Sequence, residues 1–162
     1  MFALQAARGG SQDELHAQLL EQARALLSGE RDQTANAANL ASLIYHTLPD
    51  LNWAGFYWMK QGELVLGPFQ GKPACVRIAL GRGVCGTAAR DRRTIVVPDV
   101  EKFPGHIACD SASRSEIVVP IVRQGEVIGV LDLDSPVPDR LDAEHARALE
   151  ALVAEFIAAT DL

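Results

Sequence analysis

The spacing of apolar residues predicts a helix at each end of the chain and a second helix after the first. Residues 11–14, SQDE, match a capping box, and leucines and alanines follow at helical spacing until Gly29. A second helix is predicted from about residue 32 to 46, because Pro49 prevents its continuation. A last helix is predicted over about 142–159. Its apolar stripe consists of Leu149, Leu152, Val153, Phe156 and Ile157.

Between these helices the apolar pattern changes to a period of two. Residues 51–59, LNWAGFYWM, are predicted to form an aromatic strand in which Trp53 and Tyr57 share one face. The glycine-rich segment 81–90 predicts a turn followed by a short helix. Further strands are predicted at 63–66, 75–80, 94–97, 116–122 and 126–133. This order indicates an α+β fold of antiparallel strands, with helices packed mainly on one sheet face.

The last two strands carry three acidic residues, Glu116, Asp132 and Asp134. The two aspartates alternate with leucines, so they point to one face of their strand. Taken by itself, this alternation is also explained by a half-exposed strand whose polar face is in contact with solvent. If the three carboxylates gather, like-charge repulsion and burial raise at least one pKa, and the group can donate a proton or bind an ammonium ion. Calcium binding is disfavoured, because strands lack a loop of oxygen ligands.

The register of this hairpin decides whether the carboxylates gather. A two-residue loop would place Glu116 opposite Leu133, on the apolar face, where a carboxylate is costly. A three-residue loop at 123–125 instead pairs Val122 with Glu126. It then places Glu116 opposite Asp132 and Ile117 opposite Leu131. The sequence therefore predicts the three-residue loop.

The chain has three cysteines, which offer thiol chemistry. Cys109 lies in a polar loop with His106 and Arg114 nearby in sequence, and positive charge favours the reactive thiolate. Cys75 and Cys85 flank a predicted strand and the glycine-rich turn, and either can meet Cys109. A zinc site formed by the three cysteines and His106 is an alternative, but the chain has no CxxC spacing. Buried inert thiols are another alternative.

Length and charge narrow the class of protein. The 162 residues predict one domain, with an ordered core over about 12–160. The formal net charge of −6 disfavours nucleic-acid binding. No stretch reaches about 18 uninterrupted apolar residues, so no membrane span is expected. The N-terminus shows no signal-peptide pattern and the cysteine count is odd, so we expect a cytoplasmic protein.

Four segments resemble the free methionine-(R)-sulfoxide reductases, which are stand-alone GAF-domain enzymes. They are LNWAGFYW, GPFQGKPACVRIALGRGVCGTAA, VVPDVEKFPGHIACDSASRSEIVVPI and GVLDLDSP. The resemblance covers nearly the whole chain from about residue 12. It implies a single GAF domain over 1–162. In that fold a six-stranded antiparallel sheet has the N- and C-terminal helices on one face and a ligand pocket on the other.

The resemblance also implies roles for the residues singled out above. It implies that Cys109 is the nucleophile, which becomes a sulfenic acid, that Cys75 is the main resolving cysteine, and that Cys85 is an auxiliary partner. Residues implied to bind or activate the substrate are Trp53, Tyr57, Glu116, Asp132 and Asp134. Whether Cys75 or Cys85 forms the disulfide stays open, as does the choice of proton donor among the carboxyl groups.

The activity that follows from the resemblance is reduction of free L-methionine (R)-sulfoxide to L-methionine. Thioredoxin would reduce the resulting intramolecular disulfide, and no cofactor or metal is expected. Many single GAF domains pair through their terminal helices, so a homodimer is compatible with the sequence. The alternative is a non-catalytic GAF domain that senses a small molecule or redox state.

Overall fold

The computed structural model describes residues 2–3, 10–107 and 110–162. Cys109, the predicted nucleophile, lies outside the described residues. The four helices are α1 (Gln12–Leu27), α2 (Gln33–Thr47), α3 (Gly83–Asp91) and α4 (Ala143–Ala159). The six strands are β1 (Trp53–Lys60), β2 (Glu63–Gly71), β3 (Arg77–Ala79), β4 (Ile95–Val97), β5 (Ser115–Arg123) and β6 (Glu126–Ser135). No helix among the described residues is long and apolar enough to cross a membrane.

Side-chain caps fix the starts of the three long helices where the sequence predicts them. Ser11 and Glu14 form both halves of the capping box at α1. Asp32 accepts a hydrogen bond from the backbone N–H of Ala35 at the start of α2. Asp142 accepts from the backbone N–H groups of Glu144 and His145 at the start of α4. The predicted helices are therefore confirmed to within a residue or two.

The strands form one sheet in the order β3-β2-β1-β6-β5-β4. Each neighbouring pair is antiparallel. The chain thus has the predicted α+β architecture, with β1 and β6 at the centre of the sheet and β5 beside β6.

Strand β1 divides the core into two layers by its alternation. Phe56 and Trp58 point to the side of α1, α2 and α4, and both rings contact Phe156 of α4. Trp53 and Tyr57 belong to the second apolar cluster, on the side of α3. The long helices therefore cover one face of the sheet and leave the other for a pocket, as expected.

The β5–β6 hairpin differs from the prediction at its turn. The turn has two residues, Gln124 and Gly125, both with positive φ (52° and 82°), and Arg123 pairs with Glu126. Positive φ at both central positions gives the twist that two-residue hairpins favour. The predicted three-residue loop, with Val122 opposite Glu126, was therefore wrong.

A β-bulge next to this turn corrects the register. Val122 pairs with Val127, but Ile121 already pairs with Gly129, so β6 has one extra residue at this point. The shift keeps Glu116 off the apolar face and pairs it with Asp134. The predicted pairs of Glu116 with Asp132 and Ile117 with Leu131 were wrong. The predicted gathering of acidic side chains on one face is nevertheless present.

Candidate active site

A cavity lies on the sheet face opposite the long helices. It encloses about 510 Å³ of space between atoms, part of it open to solvent. The sheet forms its floor, α3 forms one wall, and residues 72–74, 106–107, 110 and 113 contribute to its rim. Predicted site residues that line it are Trp53, Tyr57, Cys85, Glu116, Asp132 and Asp134. The structure thus brings together six side chains from four elements.

The carboxyl groups form the floor of this pocket. Glu116 and Asp132 are 5% and 6% exposed, and Asp134 is partly exposed. Glu116 lies opposite Asp134 on the β5–β6 ladder, whereas Asp132 lies opposite Val118 on β5 and Gly55 on β1. The bulge of β6 sets this arrangement, because it places all three side chains on the pocket face.

Burial raises the pKa of each of these carboxyl groups. It raises the pKa of Glu116 well above the ordinary value, and the negative charge of Asp134 adds to the rise. Burial also raises the pKa of Asp132, with a further contribution from Glu116. The pKa of Asp134 is raised in the same way, by burial and then by Asp132. The protonated form of these carboxyl groups is therefore more favourable in the pocket than in water.

Within the part of the chain that the structure describes, the acidic floor has no lysine or arginine partner. Among the described residues, neither lysine nor arginine forms an ion pair with Glu116, Asp132 or Asp134. The nearest titratable nitrogen is Nε2 of His106, 3.3 Å from Oε2 of Glu116. Burial lowers the pKa of His106, which favours its neutral form. The floor can therefore supply a proton or accept a cation.

The two described cysteines have different states. Cys75 is disulfide-bonded. Cys85 is a free thiol, 4% exposed, on the first turn of α3. Burial raises the pKa of Cys85 well above its ordinary value, and the charges of Asp132 and Glu116 add to the rise. Cys85 is therefore a poor thiolate in this setting.

An aromatic wall stands beside the acidic floor. The indole of Trp53 stacks on Phe69 at 5.3 Å and on Tyr57 at 5.8 Å between ring centroids. Its Nε1 donates to the backbone oxygen of Lys72 over 3.2 Å. The Tyr57 hydroxyl donates to the backbone oxygen of Cys75 over 3.0 Å. These contacts hold the wall in place and fix the Cys75 segment to the pocket rim.

Burial also keeps Tyr57 in its neutral form. It raises the pKa of the phenol, and the negative charge of Asp132 adds to the rise. A neutral phenol can donate the hydrogen bond to Cys75, so the aromatic wall and the cysteine segment stay connected.

Sequence reasoning missed the residues that hold the loop after Cys109. The amide of Asn52 donates to Oδ2 of Asp110 at 3.2 Å and to the hydroxyl of Ser113 at 3.1 Å. Ser113 is buried, and its hydrogen bond to Asp134 offsets part of the rise that burial gives to the pKa of Asp134. The sequence placed Asn52 only within the predicted strand 51–59 and gave no signal of these contacts, because they join residues distant in sequence.

Two cations at the pocket rim were also missed. Lys72 and Arg82 line the cavity, and Lys72 Nζ lies 3.9 Å from Asp110 Oδ1. Lys72 is three residues before Cys75, and Arg82 is three residues before Cys85. Their closeness to the cysteines in sequence was the available signal. The pocket therefore has an acidic floor and a partly cationic rim.

This fold, with a pocket on the sheet face opposite the terminal helices, is that of a GAF domain. The GAF domain family matches residues 34–159. The free methionine-R-sulfoxide reductase of Escherichia coli is 50% identical over 151 residues, which are 91% of this chain and 92% of the relative. The Saccharomyces cerevisiae enzyme of the same name is 46% identical over 154 residues, which are 88% of this chain and 86% of the relative. The chain belongs to the free methionine-R-sulfoxide reductase family.

Solved structures agree with this assignment. The free methionine-R-sulfoxide reductase of Neisseria meningitidis, solved in complex with its substrate, superposes with a TM-score of 0.94. It is 42% identical, and the match covers 98% of this chain and 95% of that chain. The GAF fold expected from the sequence is thus confirmed.

Proposed function

We propose that this protein reduces free L-methionine (R)-sulfoxide to L-methionine in the pocket, with Cys109 as the attacking thiolate. The observation that carries the proposal is the buried acidic floor of Glu116 and Asp132 beside the aromatic wall of Trp53. His106 and Asp110, three residues before and one residue after Cys109, both line the same pocket. The described residues on either side of Cys109 therefore lie at this cavity.

The acidic floor supplies the proton that the sulfoxide oxygen needs during the reduction. The Cys109 thiolate attacks the sulfoxide sulfur, and the sulfoxide oxygen gains a proton as its bond to the substrate sulfur breaks. A protonated Glu116, Asp132 or Asp134 can provide that proton. The attack joins Sγ of Cys109 to the substrate sulfur, and the oxygen takes up a second proton and leaves as water. Water then attacks Sγ, the bond between the two sulfurs breaks, and methionine leaves with that electron pair. Cys109 is left as a sulfenic acid, oxidised by two electrons.

The same floor explains a preference for the free amino acid. A free substrate carries an ammonium group, which an ionised carboxylate of the cluster can bind. A peptide-bound methionine sulfoxide has an uncharged amide nitrogen there and gains no such contact. The indole of Trp53 offers an apolar surface for the S-methyl group. We infer that the floor selects the amino acid and that the wall holds the sulfoxide end.

Recycling then needs a second thiol, and Cys75 is the better candidate. Its thiol attacks the Cys109 sulfenic acid, releases water and forms a disulfide. The disulfide-bonded state of Cys75 and the free, buried state of Cys85 support this choice. We propose that thioredoxin, a dithiol of the cytoplasm, reduces the disulfide by exchange. We also propose that the protein forms a homodimer through its terminal helices.

The test is turnover of racemic free methionine sulfoxide with dithiothreitol as reductant, resolved by chiral chromatography. The wild-type protein should consume only the (R) form and should act poorly on N-acetylmethionine sulfoxide. Cys109→Ser should bind the sulfoxide but form no methionine, while Cys85→Ser should retain most turnover. Full turnover by Cys109→Ser would remove that residue from the mechanism. If the wild-type protein binds the sulfoxide without turnover, the alternative function is favoured, which is a non-catalytic GAF domain that senses a small molecule.

A further inference from the structure

Three buried side chains of the pocket converge as metal ligands do. One ligand atom each from Cys85, Glu116 and Asp132 lies within 4.8 Å of the other two. The three residues are 4%, 5% and 6% exposed. Zinc bonds to thiolate sulfur at about 2.3 Å and to carboxylate oxygen at about 2.0–2.2 Å. Small side-chain movements would therefore bring all three atoms onto one ion.

A second observation points to a cation at this place. Oδ1 of Asp132 is buried and has no hydrogen-bond partner among the described residues. A buried carboxylate oxygen without a partner is costly, and a cation would satisfy it. The imidazole of His106 adds a further donor, since its Nε2 lies 3.3 Å from Glu116 Oε2. The cluster thus offers sulfur, oxygen and nitrogen donors on one side of the pocket.

We propose that this pocket binds a thiophilic divalent cation such as Zn²⁺ through Cys85, Glu116 and Asp132, with His106 as fourth ligand. The donor set is the mixed sulfur, nitrogen and oxygen set that zinc accepts in tetrahedral geometry. Calcium and magnesium prefer six or more oxygen ligands and are disfavoured here. The cavity is open to solvent, which gives the ion a path of entry.

This site differs from the zinc set considered from the sequence, which used Cys75 and Cys109. Cys75 is disulfide-bonded in this structure and offers no thiolate in that state. The ion would instead occupy the carboxyl groups assigned above to the substrate. Zinc would therefore inhibit the reductase by competition with methionine sulfoxide. This last step rests on the proposed function, whereas the binding of the ion does not.

The test uses a Cys75→Ser/Cys109→Ser double variant, in which Cys85 is the one remaining cysteine. Co²⁺ serves as the spectroscopic probe, and Zn²⁺ affinity is measured against a chromophoric chelator. We expect one ion per chain and a thiolate-to-cobalt charge-transfer band. Adding Cys85→Ser should abolish the band, and adding Asp132→Asn should weaken Zn²⁺ binding by about tenfold or more. Glu126→Gln, an exposed change in the hairpin, is the matched control.

Two results would overturn the proposal. The first is the absence of a thiolate band in the double variant, and the second is Zn²⁺ affinity unchanged by Asp132→Asn. Free methionine sulfoxide should raise the apparent Kd for Zn²⁺ in the double variant, and a constant Kd would refute the shared site. The wild-type protein can still reduce the sulfoxide in each case, so these failures are distinct from a failure of the reductase assignment.

Discussion

Glu116 lies directly opposite Asp134 across the β5–β6 ladder. The pairing results from a two-residue turn and a bulge one pair further along β6. Without the bulge, the same turn would place Glu116 opposite Leu133, on the side of the apolar core. The bulge near the turn of the hairpin thus determines on which face of the sheet Glu116 lies, although Glu116 is seven residues away from Arg123 at the turn.

Replacing Glu116 with glutamine should slow the reaction. The amide keeps the shape of the side chain but cannot donate a carboxylic proton to the sulfoxide oxygen. We expect kcat/KM for free (R)-sulfoxide to fall by about 10²–10⁴, the usual contribution of a general acid. Glu126→Gln, at the exposed end of β6, should leave the rate unchanged. Equal rates for both variants would exclude Glu116 as the proton donor.

The same substitution should flatten the pH dependence of stability. The pKa values of Glu116 and Asp132 are raised in the folded protein, so the unfolded chain loses these protons first as pH rises. The free energy of unfolding should therefore fall from about pH 4 upwards, by about 1.4 kcal/mol for each pKa unit of difference. Urea denaturation between about pH 4 and 8 measures this slope.

Glu116→Gln and Asp132→Asn should each reduce that slope and make the protein more stable at neutral pH, while the activity falls. The Glu126→Gln control should keep the wild-type slope. A wild-type stability that rises steadily over this range would show that the acidic floor does not hold its protons, in conflict with its burial.

Gly55 should not tolerate a side chain, because the aromatic wall occupies its space. A Cβ at this position would lie 2.3 Å from Cβ of Phe69 and 2.7 Å from the ring of Trp53. We expect Gly55→Ala to cost about 1–3 kcal/mol of unfolding free energy. It should also change the near-ultraviolet circular dichroism of Trp53 and raise KM.

Gly62→Ala is the comparison for this substitution. Gly62 has positive φ, 84°, but no heavy atom lies within 4 Å of its added Cβ. It should therefore lose about 1 kcal/mol through backbone strain alone and keep the wild-type aromatic spectrum. A Gly55→Ala protein with unchanged stability and spectrum would contradict the tight packing of the wall.

Asp142 should stabilise the start of α4. Its burial opposes ionisation, but hydrogen bonds from the backbone and side chain of His145 outweigh this and lower the pKa of Asp142 to about 2. Asp142→Ala should cost about 0.5–2 kcal/mol at neutral pH, and Asp142→Asn should cost less because it keeps a cap acceptor. Thermal denaturation of the three proteins checks this.

The stability that Asp142 contributes changes with pH in the opposite direction to that of the pocket carboxyl groups. Because the pKa of Asp142 is depressed on folding, its stabilisation is present above about pH 4 and is lost as the pH falls toward 2. The difference between wild type and Asp142→Ala should therefore shrink in acid. If the stability difference between wild type and Asp142→Ala does not change with pH, the charge of Asp142 does not contribute to it.

Local signals made much of the fold predictable from the sequence. The helix starts follow from the caps at Ser11, Asp32 and Asp142, and the two faces of β1 follow from strict alternation. The hairpin register was not predictable, because a longer loop and a short turn with a bulge both keep the apolar residues together. Which of the two arrangements forms depends on the twist of the hairpin and on its packing against β1, and the apolar periodicity of the sequence contains no information on either.

The candidate site was predictable as a set of residues but not as a set of contacts. The acidic side chains and Trp53 were found because they lie on strands with readable faces. The hydrogen bonds of Asn52 to Asp110 and Ser113 were not found, since they join loops far apart in sequence. The contact of His106 with Glu116 was missed for the same reason: the sequence placed that histidine only beside Cys109.

A single turnover without external reductant tests the role of Cys109 as nucleophile most sharply. Reduced Cys75→Ser protein is mixed with excess free L-methionine (R)-sulfoxide, sulfenic acid is trapped with dimedone, and the modified residue is located by mass spectrometry. We expect one methionine per chain and dimedone on Cys109, with no label on Cys85. Dimedone on Cys85, or methionine formed without any trapped cysteine, would contradict this role of Cys109.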